Sequence, residues 1–373
     1  PDAEKYGNGG SNSLGNTAKA VGGLHLPNLE KLGLGKLTDI AGINPAIKAE
    51  GAYGKLTPKS KGKDSITGHW ELMGIYLDEP FPLFPNGFPD EVLEKFRNLT
   101  GLNVLANKAA SGTAIIQEFG EEHIRTGKPI LYTSADSVFQ IAAHEEIIPL
   151  ERLYEISEIS RDMLTGEFGV GRVIARPFTG VRAGEFERTA NRRDYPLYPE
   201  TDTVMDKLLA KGLAVYTTGK IDQLFGNRGI TVSNHTTNNR DSTLAAIEFM
   251  KKDFTGLLFA NLIEFDQIYG HRNDPHGYAA ALAAFDAFIP EILTTMNEQD
   301  IAMIVSDHGV DPTTPGSDHS REYSPLLVFG EVVKPDVNLG IRSSFADVGA
   351  TIAEIFNLAP PLIGSSFLKE ILE

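Results

Sequence analysis

The 373-residue sequence predicts an α/β protein, with a mostly parallel sheet, helices on both faces and an inserted smaller α/β cap domain. Three observations carry that expectation. Short apolar runs alternate with helical periodicities through the C-terminal half. Two proline-rich stretches, Pro80-Phe81-Pro82-Leu83-Phe84-Pro85 and Pro196-Leu197-Tyr198-Pro199, bracket a middle segment and read as hinges. Aspartates and histidines collect just past apolar runs, where open α/β sheets hold functional groups. The expected division is residues 1–80 with 201–373 as a discontinuous core, and 81–200 as the cap.

Each element has its own signal. Val204–Lys211 reads as a helix and Leu213–Thr217 as a strand. Ser242–Lys251 is a helix with Asp241 or Ser242 as N-cap. Residues 257–263 form a buried strand. Tyr278, Leu282, Phe285, Ile289 and Ile292 step by four and three, which marks one face of a single helix. Strands at 301–305 and Leu326–Phe329 and a helix at Phe345–Phe356 complete the alternation. Near Gly68 a further helix begins, capped by Ser65 or Thr67.

Composition excludes several classes. The net charge is −16, which argues against wholesale nucleic-acid binding. With no cysteine, disulfide and thiol chemistry are absent and any metal ligands are N or O. No apolar run approaches the ~18–20 residues of a membrane span. A cytoplasmic location and no membrane partner are therefore expected.

Val305 and Ser306 close an apolar run, and Asp307-His308-Gly309 follows, with His319 eleven residues after His308. Asp266 and His271 follow the run 257–263 in the same way. A lone Asp-His-Gly is more often a capped turn. Here four of the nine histidines fall between 271 and 319, and three of them accompany suitably placed aspartates. That inventory has room for more than one ion and suits Zn, Mn or Fe better than Ca. His276, in Asp274-Pro275-His276, reads as turn chemistry and stays outside the site.

Ser65, in Lys63–Glu71, is a candidate nucleophile, because a bound metal lowers a hydroxyl pKa and a helix N-terminus favours phosphate. Six arginines lie between Arg172 and Arg193: Arg172, Arg176, Arg182, Arg188, Arg192 and Arg193. They suggest anion recognition, against the alternative of a solvated face paired with Glu185, Glu187 and Asp194. Lys220, after the strand ending at Thr217, is a further phosphate candidate.

Lys63–Glu71, Tyr132–Val138, Gly171–Phe178, Phe265–His271 and Ser306–Tyr323, in that order and over nearly the whole length, resemble the bacterial phosphopentomutases of the alkaline phosphatase superfamily. The resemblance implies an alkaline-phosphatase-like core with an inserted cap and two divalent metal ions, usually Mn2+. It implies interconversion of ribose 1-phosphate (or 2-deoxyribose 1-phosphate) and the 5-phosphate through a phosphoserine at Ser65, primed by a sugar bisphosphate such as glucose 1,6-bisphosphate. Many family members carry threonine at that position, and either hydroxyl serves. By the same resemblance Asp266, His271 and His319 hold one metal, and Asp307 and His308 the other. Asp136 contacts the sugar hydroxyls, and Arg176, Arg192 and Lys220 contact phosphate. The cap excludes water, since hydrolysis would waste the phosphoserine. The family also begins with a strand ending in an Asp-Ser-Val-Gly-Ile-Gly-like segment whose Asp binds metal; it is expected just ahead of Pro1. Other readings are a metal-dependent phosphatase or phosphodiesterase of that superfamily, a cofactor-independent phosphoglycerate mutase, or a sugar-phosphate-binding protein without turnover.

Overall fold

The computed structural model describes residues 2–134 and 137–372. The chain divides into two compact units, Pro1–Pro80 with Pro199–Glu373, and Phe81–Tyr198. The described strands, in chain order, are β1 (Ala52–Leu56), β2 (Leu105–Ala109), β3 (Ile130–Thr133), β4 (Val138–His144), β5 (Arg172–Thr179), β6 (Glu187–Arg188), β7 (Arg193–Pro196), β8 (Ala214–Thr218), β9 (Val232–Asn234), β10 (Gly256–Ala260), β11 (Ala302–Val305), β12 (Ser324–Phe329) and β13 (Val337–Arg342).

The discontinuous unit carries two sheets. One has the order β10-β8-β9 and is parallel. The other has the order β11-β12-β1-β13; β12 runs antiparallel to both neighbours, while β1 and β13 are parallel. A parallel return needs a crossover of a dozen or more residues, usually helical. The segment between β11 and β12 holds no described helix, so β12 comes back antiparallel. That return leaves residues 306–323 as one long loop at a single end of both strands. Among the described residues β10 pairs only with β8, and β11 only with β12, so each keeps an edge without a strand partner. Leu257, Leu258, Phe259, Met303, Ile304 and Val305 are accordingly half-buried rather than buried.

Several expected boundaries move for physical reasons. The helix expected near Gly68 spans Ser65–Leu72 and is capped by Asp64, not by Ser65 or Thr67. The Asp64 carboxylate accepts from Thr67 N at 3.0 Å and Thr67 Oγ1 at 2.6 Å. A carboxylate there gains from the helix dipole as well as from the hydrogen bond. The helix Asn239–Met250 is capped by Asn238, which accepts from Asp241 N at 2.8 Å, so neither Asp241 nor Ser242 is the cap. The single helix expected over 278–292 is two, Pro275–Asp286 and Ile289–Thr295. Pro290 is the cause: its ring would clash with the Asp286 carbonyl, whereas at a helix start it is well placed. Together Pro275–Thr295 make 21 residues of mean hydropathy 1.2, long and apolar enough to cross a membrane by length and composition alone. The sequence reading missed this because it counted unbroken apolar runs. Asp286 lies within it, buried, and accepts from Asn28 N and Leu29 N at 3.1 and 2.7 Å.

The inserted unit is a sheet of order β2-β3-β4-β5-β6, with β7 also on β5. Alternation along β3, β4 and β5 divides its core in two. Leu131, Phe139, Ile141, Ala143, Val173 and Ala175 pack with Phe96, Leu153 and Ile156, which come from the helices Asp90–Thr100 and Leu150–Met163. Tyr132, Ala142 and Phe178 pack on the other face against Ile115 and Ile116 of the helix Gly112–Thr126.

Candidate metal centre

Three chain segments converge at one end of the β10 and β11 strands. Asp266 sits in a π-type turn, Phe265–Gly270, shortly after β10, and His271 follows it. Such turns are rare and cluster at functional sites. Asp307 and His308 leave β11. The loop beyond them is pinched by reciprocal backbone bonds, Gly309 N to Ser320 O at 3.1 Å and Ser320 N to Gly309 O at 2.8 Å. That closure returns His319 to His308, with ring centroids 3.9 Å apart. Ser65 opens its helix, and Gly68 one turn on lets that helix touch the Asp307 backbone. A Cβ at Gly68 would lie 2.0 Å from Asp307 O.

The side chains form two linked groups. Asp266 Oδ1 lies 3.1 Å from His271 Nε2 and 3.2 Å from His319 Nε2. Asp307 Oδ2 lies 3.3 Å from His308 Nε2 and 3.1 Å from His69 Nδ1. Ser65 Oγ is 3.0 Å from His308 Nε2. Ligand atoms of Asp266, His308 and His319 all fall within 4.8 Å of one another, so His308 stands between the two groups.

This donor set fits a divalent cation. His308 Nδ1 lies 3.0 Å from Gly309 O, and His271 Nδ1 bonds Ser317 O. A carbonyl only accepts, so both rings carry their proton on Nδ1 and turn the Nε2 lone pair inward. Carboxylate oxygens and imidazole Nε2 atoms then converge at 3.1–3.3 Å, the donor types that hold a divalent cation. Burial would raise the Asp307 carboxyl, but His308 and His69 hold it well below the usual carboxylate range. Asp266 is likewise kept low by its three histidines against the effect of burial. Both carboxylates are therefore ionised and ready to bind.

Sequence reasoning missed two residues at this centre. His69 is buried, and its Nδ1 is shared between Asp307 and Ser65 O at 2.8 Å. Burial lowers its pKa, and the Asp307 carboxylate more than restores it, leaving a net upward shift. The available signal was its spacing of four from Ser65, which puts both on one helix face. Lys63 donates to His319 O at 2.8 Å and pairs with Asp318 at 2.7 Å, so it braces the returning loop.

The remaining expected residues are carried by other elements. Lys220 follows β8 and precedes the short helix Ile221–Leu224. Arg176 is on β5 of the inserted unit and donates to Gln140 Oε1 at 3.3 Å. Arg192 forms a two-pronged pair with Asp194, at 2.6 Å on each side. Asp136 lies outside the described residues.

Residues 8–360 match the family described as the Metalloenzyme superfamily, so the class of protein is one whose chemistry depends on divalent metal. The chain is 58% identical over 371 residues to the phosphopentomutase of Carboxydothermus hydrogenoformans, a match covering 100% of this chain and 95% of that one. Identity and coverage are the same for the phosphopentomutase of Herpetosiphon aurantiacus. For that of Clostridium novyi the identity is 53% over 373 residues, again covering 100% and 95%. The chain belongs to the phosphopentomutase family.

Proposed function

We propose that this chain interconverts ribose 1-phosphate (or 2-deoxyribose 1-phosphate) and the 5-phosphate by passing a phosphoryl group through Ser65. The observation that carries the role of Ser65 is its placement. Its Oγ lies at a helix start, 3.0 Å from His308 Nε2 and beside two ionised aspartates.

In the forward step the phosphoryl group leaves Ser65 Oγ for the free hydroxyl of the sugar monophosphate. The P–O bond to serine breaks, a P–O bond to the sugar forms, and the hydroxyl proton ends on Ser65. The resulting bisphosphate returns its other phosphoryl group by the reverse exchange. A sugar bisphosphate such as glucose 1,6-bisphosphate would load Ser65 at the outset. Asp266, His271 and His319 would hold one divalent ion and Asp307 and His308 another, and the ions, Mn2+ in our reading, would supply charge neutralisation for in-line displacement. His69 fixes the Asp307 carboxylate, and Lys63 fixes the His319 loop. Asp136 is assigned to the sugar hydroxyls, and Arg176, Arg192 and Lys220 to phosphate, with the inserted unit as the substrate-recognising part. A charged sugar phosphate does not cross membranes, so the enzyme works in the cytoplasm.

The test is a coupled assay with Mn2+ that follows ribose 1-phosphate conversion, with free phosphate measured in parallel. Conversion without phosphate release is expected. Release without isomer would make the protein a phosphatase, and neither signal would leave a binding protein. Ser65→Ala should abolish conversion while leaving the thermal midpoint in place; turnover retained in that variant would remove Ser65 from the reaction.

A further inference from the structure

Between β1 and the Ser65–Leu72 helix the chain runs through residues 57–64 with neither helix nor strand. Its main-chain groups therefore need partners from outside regular structure. Two buried charges of opposite sign supply them. On one side Glu71 accepts from Lys59 N at 2.9 Å and from Ser60 N at 2.7 Å. On the other Arg321, also buried, donates Nη2 to Pro58 O at 2.8 Å, and Nη1 to Ser60 O and, at 3.0 Å, to Gly62 O. A carboxylate only accepts and a guanidinium only donates, so the amides go to the glutamate and the carbonyls to the arginine.

The two charges come from different places. Glu71 is on the same helix as Ser65, so its bonds tie the segment to that helix. Arg321 follows the Gly309–Ser320 closure, two residues past His319, so its bonds tie the same segment to the loop that carries His319. Lys63 repeats the link in the opposite direction, donating to His319 O at 2.8 Å and pairing with Asp318 at 2.7 Å. Only Lys63 and Asp64 separate Gly62 from Ser65. Both are fixed, Lys63 to the loop and Asp64 as the helix cap. The chain thus offers little slack between the guanidinium and Ser65 Oγ.

Arg321 is itself held on its remaining sides. Its Nε donates to Asp2 Oδ1 at 2.9 Å, its guanidinium carbon lies 4.8 Å from the centre of the Tyr6 ring, and its backbone N donates to Asn8 Oδ1 at 3.1 Å. Among the described residues Asp2 is the one carboxylate within ion-pair distance. The other donors serve main chain, which makes this arginine a clamp on backbone rather than half of a simple ion pair. A planar fork of donors holds several acceptors in one geometry, which a single ammonium does not.

We propose that Arg321 is a positioning residue for phosphoryl transfer: by clamping residues 58–62 to the His319 loop it sets Ser65 Oγ against the metal-ligand side chains. None of its contacts is to Ser65 or to a candidate metal ligand's side chain, so it acts through the backbone. The role of Ser65 here rests on the mutase reading above.

The test compares wild type, Arg321→Met, Arg321→Lys and Arg161→Met as full chains. Rates are taken at saturating Mn2+ and glucose 1,6-bisphosphate, well below every thermal midpoint, and expressed per folded protein. Arg161 is the control. It is buried and donates to Val170 O and Leu164 O at 2.7 and 2.6 Å, the same chemistry with no link to Ser65. Arg321→Met is expected to lower kcat roughly 10- to 100-fold, the effect of a displacement of about 1 Å at the reacting group, with KM for ribose 5-phosphate within about threefold of wild type. Arg321→Lys keeps the charge without the fork and should recover part of kcat; if the methionine variant does not fold, the lysine variant decides by the same split. Arg161→Met should lower the thermal midpoint and leave kcat at the wild-type value. Wild-type kcat in the folded Arg321 variants, with only the midpoint lowered, would make Arg321 purely structural and overturn the proposal. A raised KM with kcat intact would overturn it too. Wild type that does not convert ribose phosphates would overturn the mutase reading and this proposal with it, whereas an active wild type with undiminished Arg321 variants overturns this proposal alone.

Discussion

Gly68 shows how little freedom the metal centre leaves a single residue. Its missing side chain lets the Ser65 helix rest on the backbone of Asp307, where a Cβ would meet Asp307 O at 2.0 Å and its carbonyl carbon at 2.7 Å. Backbone cannot rotate away as a side chain can. Gly68→Ala should therefore cost about 1–3 kcal/mol of stability despite the better helix propensity of alanine. It should also lower turnover by moving Ser65 relative to His308. Denaturant midpoints with steady-state kinetics measure both, and an alanine variant as stable and active as wild type would contradict the close contact. Glu71, on the same helix, is buried and accepts from Lys59 N at 2.9 Å, Ser60 N at 2.7 Å, Ser344 Oγ at 2.7 Å and Phe345 N at 3.0 Å. No cation pairs with it among the described residues; backbone dipoles satisfy the charge instead. At this scale the sequence was half legible. Asp266, Asp307 and the histidines stood out because they follow apolar runs. His69 and Glu71 did not, because a buried polar residue is recognisable only once its partners are known.

The helix Gly112–Thr126 does different work at its two ends. Its start packs against Arg188 and Tyr132 at Gly112, and its last turn holds His123. The His123 Nδ1 donates to Lys128 O at 2.7 Å, and its Nε2 accepts from His144 N at 2.9 Å. Burial holds His123 below its ordinary value of 6.5, against the Lys128 bond, and His144 pushes the same way. The folded protein thus takes up this proton less readily than the unfolded chain. The associated stability is present above about pH 6.5 and is lost as pH falls through that value toward the lower folded one. His123→Gln keeps a polar group there but cannot titrate, so its stability should fall less between about pH 7 and about pH 5. Chemical denaturation at the two pH values checks this; parallel losses in the two proteins would exclude His123. The cause of this behaviour is invisible in sequence, since His123 lies on a helix and its acceptor site is filled by an amide from another element. The type and rough place of most C-terminal elements were readable, but the caps moved by several residues, and Pro290 divided a helix that periodicity had joined.

For the molecule as a whole, the candidate metal centre is where folding and ligand binding would be linked. Two carboxylates and three histidines come from segments far apart in sequence, and the fold alone brings them together. An ion bound only by the folded state stabilises it by about 2.7 kcal/mol when free ion exceeds Kd about 100-fold. Mn2+ should therefore raise the thermal midpoint of the metal-stripped protein, and Asp266→Asn should show a much smaller rise, because Asp266 faces both His271 and His319. Scanning calorimetry with and without Mn2+ reads this, and an equal rise in the variant would remove Asp266 from the ligand set. The net charge of −16 makes some nonspecific cation binding certain, which is why the variant rather than the bare shift decides.

By itself the sequence determined the α/β alternation and pointed to the candidate metal ligands, since these depend on local periodicity and on residue type just past apolar runs; Ser65 was a candidate through its segment's resemblance. Tertiary structure alone decided which groups meet. The antiparallel return of β12 makes 306–323 a loop that folds His319 back onto His308. The register of β5 with β6 and β7 turns Arg176 and Arg188 toward one helix start and Arg193 away from it. Register changes the face of every side chain with a one-residue slip, and it is set by packing between strands distant in sequence, so no local pattern encodes it.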